Sequence, residues 1–294
     1  MKLYIGEQMA LPALGSVVLS RNRSDAAAIL TATVHTAAAD TYFHRLTMAV
    51  GDPVRLLDDE RAEVFLGSIH ELKRTPEQVT LTAYDRGVYL ARNELYGVFL
   101  GTGADIVGQV AAKLDIPVGT IDAPAGRKTI VSRAGQSAYA ILRQAVGEER
   151  YIGITDGKLT VTKPYNVYPI RPETVLEVSG TAGIGRMVNR CAVVGRNGAL
   201  AAQAENGADV AAYGQFQSVL GKDGDAARQA SAGLAGKTMT AELTMLGDLA
   251  YRCGEAVELH RPGWGVDGVY AVTASEHRWE AGVFTTMLRL EFIR

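Results

Sequence analysis

The sequence predicts a mainly β fold with an α+β insert, in which two antiparallel β modules flank a small α/β domain. Three observations predict it. The first third runs in short apolar–polar alternations separated by turn signals, the middle shifts to helical spacing, and the last third returns to alternation. Strands this close together leave no length for helical crossovers, so they are expected to pair antiparallel.

The elements follow in order. Leu30 to Val34 reads Leu-Thr-Ala-Thr-Val, and Thr41 to Val50 carries an apolar and aromatic bias. Gly51-Asp52-Pro53 is a turn before Val54 to Leu57, and Asp58-Asp59-Glu60-Arg61 is a polar turn before Glu63 to Ile69. Thr75-Pro76-Glu77 turns the chain into Val79 to Tyr84, Val-Thr-Leu-Thr-Ala-Tyr. After residue 93 the period changes. Ile106, Val107, Val110, Ala111 and Leu114 share one face of a helix, and Ala138, Ile141, Leu142 and Ala145 share one face of a second. Asp156-Gly157 is the two-residue turn of a hairpin running from Arg150 to Val161. Strands are then expected at Val175 to Val178, Arg190 to Gly195, Thr238 to Thr244, Ala256 to Leu259, Val269 to Ala274 and Phe284 to Ile293, with a helix from Ala226 to Leu234. The implied domains are 1–93, 94–168, and 169–294 with a helical insertion.

Composition narrows the function. Of 294 residues, 47% are hydrophobic and 21% charged, which excludes a disordered chain. The 30 basic residues face 32 acidic ones, against the basic excess of a dedicated nucleic-acid binder. Two cysteines, Cys191 and Cys253, are too few for a disulfide scaffold or zinc cluster and sit in apolar stretches as small hydrophobes. No apolar run approaches a membrane helix, and Glu7 stands where a signal peptide needs apolar residues. A protein made and used in a cytoplasm, or leaving it by a non-secretory route, is expected.

The motifs that carry chemistry are mostly absent. Ser231-Ala-Gly233-Leu-Ala-Gly236-Lys237-Thr238 resembles a P-loop, but Ser231 replaces its first Gly and a helical stretch precedes where a strand is needed. Gly233 and Gly236 read better as a helix terminus. Gly101-Thr102-Gly103 and Gly180 to Gly185 fail the dinucleotide spacing, and Thr102 or its flanking turn is expected to cap the following helix. His35, His44, His70, His260 and His277 show no metal-ligand spacing, and no nucleophile elbow is present. Asp58-Asp59-Glu60 reads as a solvated turn rather than a carboxylate pair. No catalytic, cofactor-binding or metal-binding residue is expected.

One ordered set of segments is more specific. Gly51-Asp52-Pro53-Val54-Arg55-Leu56 is followed by Val64-Phe65-Leu66-Gly67-Ser68-Ile69, then by the run from Val79 through Thr82-Ala83-Tyr84-Asp85-Arg86-Gly87 to Asn93. Further on stand Asp105-Ile106-Val107, Asp115-Ile116-Pro117, Asn189-Arg190, Tyr213-Gly214, Gly268-Val269-Tyr270, Glu276-His277 and Thr286-Met287-Leu288-Arg289-Leu290. From residue 46 onward this resembles the hub proteins of contractile phage tails typified by the XkdQ/YqbQ group. The resemblance implies two tube-like β-barrel modules per chain and a homotrimer forming a pseudo-sixfold ring. That ring would join the tail tube protein to the central spike protein, with baseplate wedge proteins as further partners. It implies a virion tail baseplate location, assembly in the bacterial host cytoplasm, DNA passing through a channel without sequence recognition, no membrane insertion and no cofactor. Two other readings stand beside it: a tail-associated cell-wall hydrolase or peptidase, and a carbohydrate-binding β module in which Trp264 and Trp279 stack on a sugar ring.

Overall fold

The computed structural model describes residues 1–10, 13–36, 46–163, 166–261, 263 and 265–293. Its first elements are β1 (Lys2–Ile5), β2 (Gln8–Met9), β3 (Leu14–Asn22), β4 (Ile29–His35), β5 (Pro53–Leu57), β6 (Glu63–Arg74) and β7 (Gln78–Asp85). The middle holds α1 (Gly87–Arg92), β8 (Gly97–Gly101), α2 (Gly103–Lys113), β9 (Val118–Ile121), β10 (Lys128–Ser132), α3 (Ala138–Val146), β11 (Tyr151–Thr155) and β12 (Lys158–Thr162). Next come β13 (Val167–Pro169), β14 (Val175–Gly183), β15 (Arg190–Val194), β16 (Leu200–Glu205), α4 (Gly207–Tyr213), β17 (Gln217–Gly221) and α5 (Ala226–Ala232). The chain closes with β18 (Thr238–Leu246), β19 (Ala256–Arg261), β20 (Val266–Glu280) and β21 (Val283–Phe292). The mainly β class with antiparallel pairing and a small α/β insert is borne out.

Two compact units divide the chain: Met1–Val178 with Glu242–His260 and Asp267–Arg294, and Ser179–Ala241 with Arg261–Val266. In the first, strands β21, β20, β3, β4, β7, β6, β5, β1 and β2 neighbour one another in that order, antiparallel throughout. Strands from both ends of the chain therefore share one sheet. The junction is the β3–β20 ladder, running from Asn22 opposite Ala274 to Ser16 opposite Glu280.

The period-two alternation puts one side of each strand inward. Val17 and Leu19 of β3, Leu30, Ala32 and Val34 of β4, Val79, Leu81 and Ala83 of β7, and Val54 and Leu56 of β5 are all buried, and they form one core with Leu3, Ile5, Phe65 and Ile69. Each such Val, Leu or Ile contributes about 1.5–3 kcal/mol by leaving water. The opposite side is polar. Thr31 stands opposite Thr82 and Thr33 opposite Thr80, with Ser16 and Val18 next to them on β3. Residues 46–50 of the expected Thr41 to Val50 run form no strand; 41–45 lie outside the described residues.

The insert has its own core under α2 and α3, including Phe99, Ile106, Val110, Ile130, Ile141, Leu142, Ile152, Leu159 and Val161. Thr102 caps α2 as expected, in a capping box with Asp105. Ser137 caps α3 by accepting from the Ala140 amide. Asp156 and Gly157 turn the β11–β12 hairpin at φ values of 49° and 70°, the left-handed pair that a type I′ turn requires. Arg143 of α3 ties the insert to the end of β3, donating to the Arg23 carbonyl and to Tyr139 Oη, while Tyr139 Oη also donates to the Arg23 carbonyl at 2.8 Å.

In the second unit, β15 lies between antiparallel β16 and parallel β17. Gly233 ends α5 and lies so close to Cys191 that a Cβ there would sit 2.4 Å from its Sγ. The P-loop-like stretch is thus a helix terminus running into β18, as its order of elements suggested.

Gly87 shows how tightly the first unit is built where β7 passes into α1. A Cβ on it would lie 2.0 Å from the backbone oxygen of Ala26, and backbone cannot rotate away. Gly87→Ala is expected to lower stability to chemical denaturation by about 2–3 kcal/mol. Gly126→Ala, with open space at its Cβ, is expected to stay within about 0.5 kcal/mol.

Candidate functional site

The residues singled out by type scatter over the fold. His35 ends β4 exposed, and His70 meets Tyr84 edge-on at 5.1 Å between ring centroids. His260 is exposed, 3.0 Å from Asp267 and 3.4 Å from Glu258, and its hydrogen bond to Asp267 raises its pKa. His44 and Trp264 lie outside the described residues. Asp58 accepts from the Ala62 amide at 2.8 Å within the β5–β6 turn, and Asp59 is exposed there, as read for a solvated turn. Trp279 stacks face to face on Phe284 at 4.3 Å and 9°, so one face of its ring is already covered. Among the described residues no group of His, Cys, Asp and Glu gathers as a metal site, and no helix is long and apolar enough to cross a membrane.

What the fold does bring together is a polar cleft of about 200 Å³ in the first unit. Its floor is set by Arg21 of β3, Asp85 of β7, Tyr151 of β11 and Cys253 before β19; the turns at Asp58–Phe65 and Thr155–Gly157 and the Leu249–Arg252 segment complete its walls. Strand alternation explains Arg21 and Asp85. Each continues the inward-facing row of its strand, Val17-Leu19-Arg21 and Val79-Leu81-Ala83-Asp85, past the point where the apolar core ends. Asp85 ends β7 two residues ahead of α1, and its Oδ1 accepts from the Gly87 amide at 2.8 Å.

Burial sets the electrostatics of this end of the sheet. Asp85 is 5% exposed, and desolvation raises its pKa to about 6 against the pull of the Gly87 amide and the Arg21 charge. Burial likewise pushes the Cys253 thiol up to about 12, and its Sγ donates to the Thr273 carbonyl. Fully buried His277 is driven down to about 3 by desolvation, with the Arg21 and Arg252 charges adding to the effect. Its Nδ1 bonds Thr286 Oγ1 at 3.1 Å, and its Nε2 has no partner among the described residues. At neutral pH the thiol is protonated and the imidazole uncharged. A nucleophile needs a thiolate, and an acid–base residue needs a pKa near the working pH; neither group meets that condition.

Asp85 stands in the sequence within the family-like segment Val79 to Asn93, whereas neither Arg21 nor Tyr151 belongs to any motif. The signal for Arg21 was present: it is a charge on the apolar phase of β3, where a bland strand carries an aliphatic. Tyr151 gave none, because its burial depends on packing against Gly254, where a Cβ would come 2.7 Å from the ring. In the second unit the missed residue is Asn189, 1% exposed, whose amide donates to the Gly214 carbonyl at 2.6 Å and whose oxygen accepts from the Phe216 amide at 2.7 Å. It fixes the turn between α4 and β17.

The shifts of His277 and Asp85 act on stability in opposite directions. His277 binds a proton in the unfolded chain near 6.5 but in the folded chain only near 3, so stability is lost as pH falls through that window. Asp85 binds its proton more tightly when folded, so its contribution is present below 3.8 and lost as pH rises to about 6. Asp85→Asn keeps the acceptor for Gly87. It is expected to stabilise the protein at pH 7 by about 2–3 kcal/mol, with the gain vanishing below about pH 4, in denaturation curves taken across pH.

Comparison with known proteins places this architecture. The fold matches a 43 kDa tail protein of prophage MuSo2 from Shewanella oneidensis with a TM-score of 0.73 at 12% identity, covering 98% of this chain and 96% of that one. It matches a tail protein from Neisseria meningitidis MC58 with a TM-score of 0.73 at 14% identity, covering 99% and 95%. A type VI secretion component of E. coli, c3393, described as similar to the T4 tail proteins gp27 and gp5, matches at 0.64 and 9% identity over 100% of this chain and 77% of its own. No curated protein matches by sequence. The YQBQ-like family profile covers residues 17–291, nearly the whole chain, and the protein therefore belongs to the YQBQ-like family.

Proposed function

We propose that this chain is a structural hub of a phage-type tail baseplate or related contractile injection particle, assembled in the host cytoplasm. Three copies close a pseudo-sixfold ring between the tail tube and the central spike, with wedge proteins outside. Residues 1–93 and 169–294 supply the two tube-like modules of each copy, and 94–168 the insert. The observation that carries this reading is the fold shared along nearly the full chain with the two prophage tail proteins, together with family membership.

Two features of the sheet support it. The β3–β20 ladder makes strands from both ends of the chain continuous, which is the arrangement consecutive modules of a ring need. A closed ring also removes exposed sheet edges, which otherwise invite aggregation. The side of the sheet away from the core carries Ser16, Thr31, Thr33, Thr80 and Thr82, hydroxyl groups suited to a water-filled channel. The hydrolase reading gains nothing from a protonated Cys253 and a neutral His277, and the sugar-stacking reading loses one face of Trp279.

Co-expression with tail tube and central spike proteins, followed by electron cryomicroscopy, tests the proposal. The expected result is a threefold ring with Thr31 and Thr82 facing the lumen. A particle in which that face is buried against protein overturns it, as does turnover of purified cell wall by the isolated chain.

A further inference from the structure

The sheet that β8 and β10 form in the insert is buried on one side and bare on the other. Phe99 and Ile130 enter the insert core. Val98 and Val131, paired across the ladder, are 57% and 58% exposed, and Leu100 beside them is exposed as well. An antiparallel ladder turns the N–H and C=O groups of alternate residues away from the partner strand. Leu100 is such a residue: Gln109 of α2 donates to its carbonyl at 2.7 Å and accepts from its amide at 3.4 Å. A side chain thus covers that part of the β8 edge. Thr129, opposite Leu100, and Val131, two residues on, must then aim their N–H and C=O groups outward along the other edge, that of β10. Both are exposed, and β10 pairs with β8 alone in a two-stranded sheet.

We propose that the open edge of β10 receives an extended segment of a partner protein, apolar at alternate positions and acidic at its ends. An added strand gives the Thr129 and Val131 backbone groups their partners, and its apolar side chains continue the Val98–Val131 row. Charge sets the ends. Arg127 and Arg133 flank β10, each two residues from Thr129 or Val131 and so on the same phase of the alternation. A groove beside Val131 adds Arg92 to Arg133, with Glu94 as the one acid lining it. The Arg92 and Arg133 side chains form no ion pair among the described residues. Arg127 acts on Asp105, whose carboxylate the α2 cap already holds. Lys128 is occupied, its Nζ donating to the Gln144 and Ala145 carbonyls. A second copy fits poorly. β10 beside another β10 would bring the arginines of both copies together, and like charges facing across a ladder repel. A lipid surface meets the apolar row and the arginines but leaves the edge amides unpaired. The inference goes beyond the hub reading and does not rest on it.

The test titrates the full chain with the capped peptide Glu-Thr-Val-Thr-Val-Thr-Glu, following chemical shifts and amide hydrogen exchange by NMR. Controls are the same peptide with Lys at both ends, the peptide N-methylated at both valines, and vesicles of equal parts phosphatidylglycerol and phosphatidylcholine. The acidic peptide is expected to saturate with a Kd on the order of 1 mM, as a short flexible segment must be ordered to bind. At about 90% occupancy the Thr129 and Val131 amides are expected to exchange roughly tenfold more slowly, while Ile130, already in the ladder, changes little. The Lys-ended peptide is expected to bind at least about tenfold more weakly and the N-methylated one not at all. Val131→Asp is expected to weaken the acidic peptide about tenfold, and Arg133→Glu, outside the strand and safe for the fold, about threefold. No saturable shift, equal binding of the Lys-ended peptide, unchanged exchange at Thr129 and Val131, or undiminished binding by both variants would each overturn the proposal. So would protection of those two amides by the vesicles, or by self-association without peptide.

Discussion

The β3–β20 ladder is the constraint on which the first unit depends. Seven residues of β3 pair with seven of β20, from Asn22 opposite Ala274 to Ser16 opposite Glu280. Without that pairing both strands become open edges, and their amides and carbonyls lose the partners that burial demands. The ladder also fixes register, and register decides which side chains meet. Arg21 comes opposite Ser275, Leu19 opposite His277, and Val17 opposite Trp279. A slip of one residue would turn the whole inward row outward.

From that register the cleft follows. Ser275 accepts from the Cys253 amide at 3.1 Å, which brings the segment before β19 against the end of β3. Arg23, two residues beyond Arg21, carries the carbonyl on which Arg143 and Tyr139 of the insert converge. The insert therefore closes over the same end of the sheet where the apolar rows give way to Arg21 and Asp85. The cleft lies where three parts of the chain meet, which is where groups from distant segments are most readily left facing one another.

The chemistry gathered there is quiet. Desolvation holds Cys253 protonated and His277 neutral, and raises Asp85 toward neutrality. A buried carboxylate that lowers stability at neutral pH is a local departure from the apolar row of β7 that precedes it. The Ser/Thr side of the sheet, by contrast, gives up apolar burial across several strands. Both features fit the structural role proposed above.

Much of this was legible in the sequence because it is local. Alternation marks β4, β5, β7 and β18; the apolar spacing of Ile106, Val107, Val110 and Ala111 marks α2; Asp156-Gly157 marks a hairpin; and Thr102 marks a cap. Each rests on interactions within a few residues. Short elements such as α1, β8 and β16 escaped, since five or six residues carry too little periodicity to rise above the background, and the nine-residue β3 escaped as well, its alternation blurred by the adjacent Val17 and Val18. The sequence by itself determined the mainly β class, the position of the insert and the inward phase of most strands, because side-chain alternation is a property of the strand alone. Only the tertiary structure decided that β3 pairs with β20, and so that Arg21, Asp85, Tyr151 and Cys253 share one cleft. Hydrogen bonds between strands some 250 residues apart are made by backbone groups that every residue carries, and they leave no mark in the order of side chains.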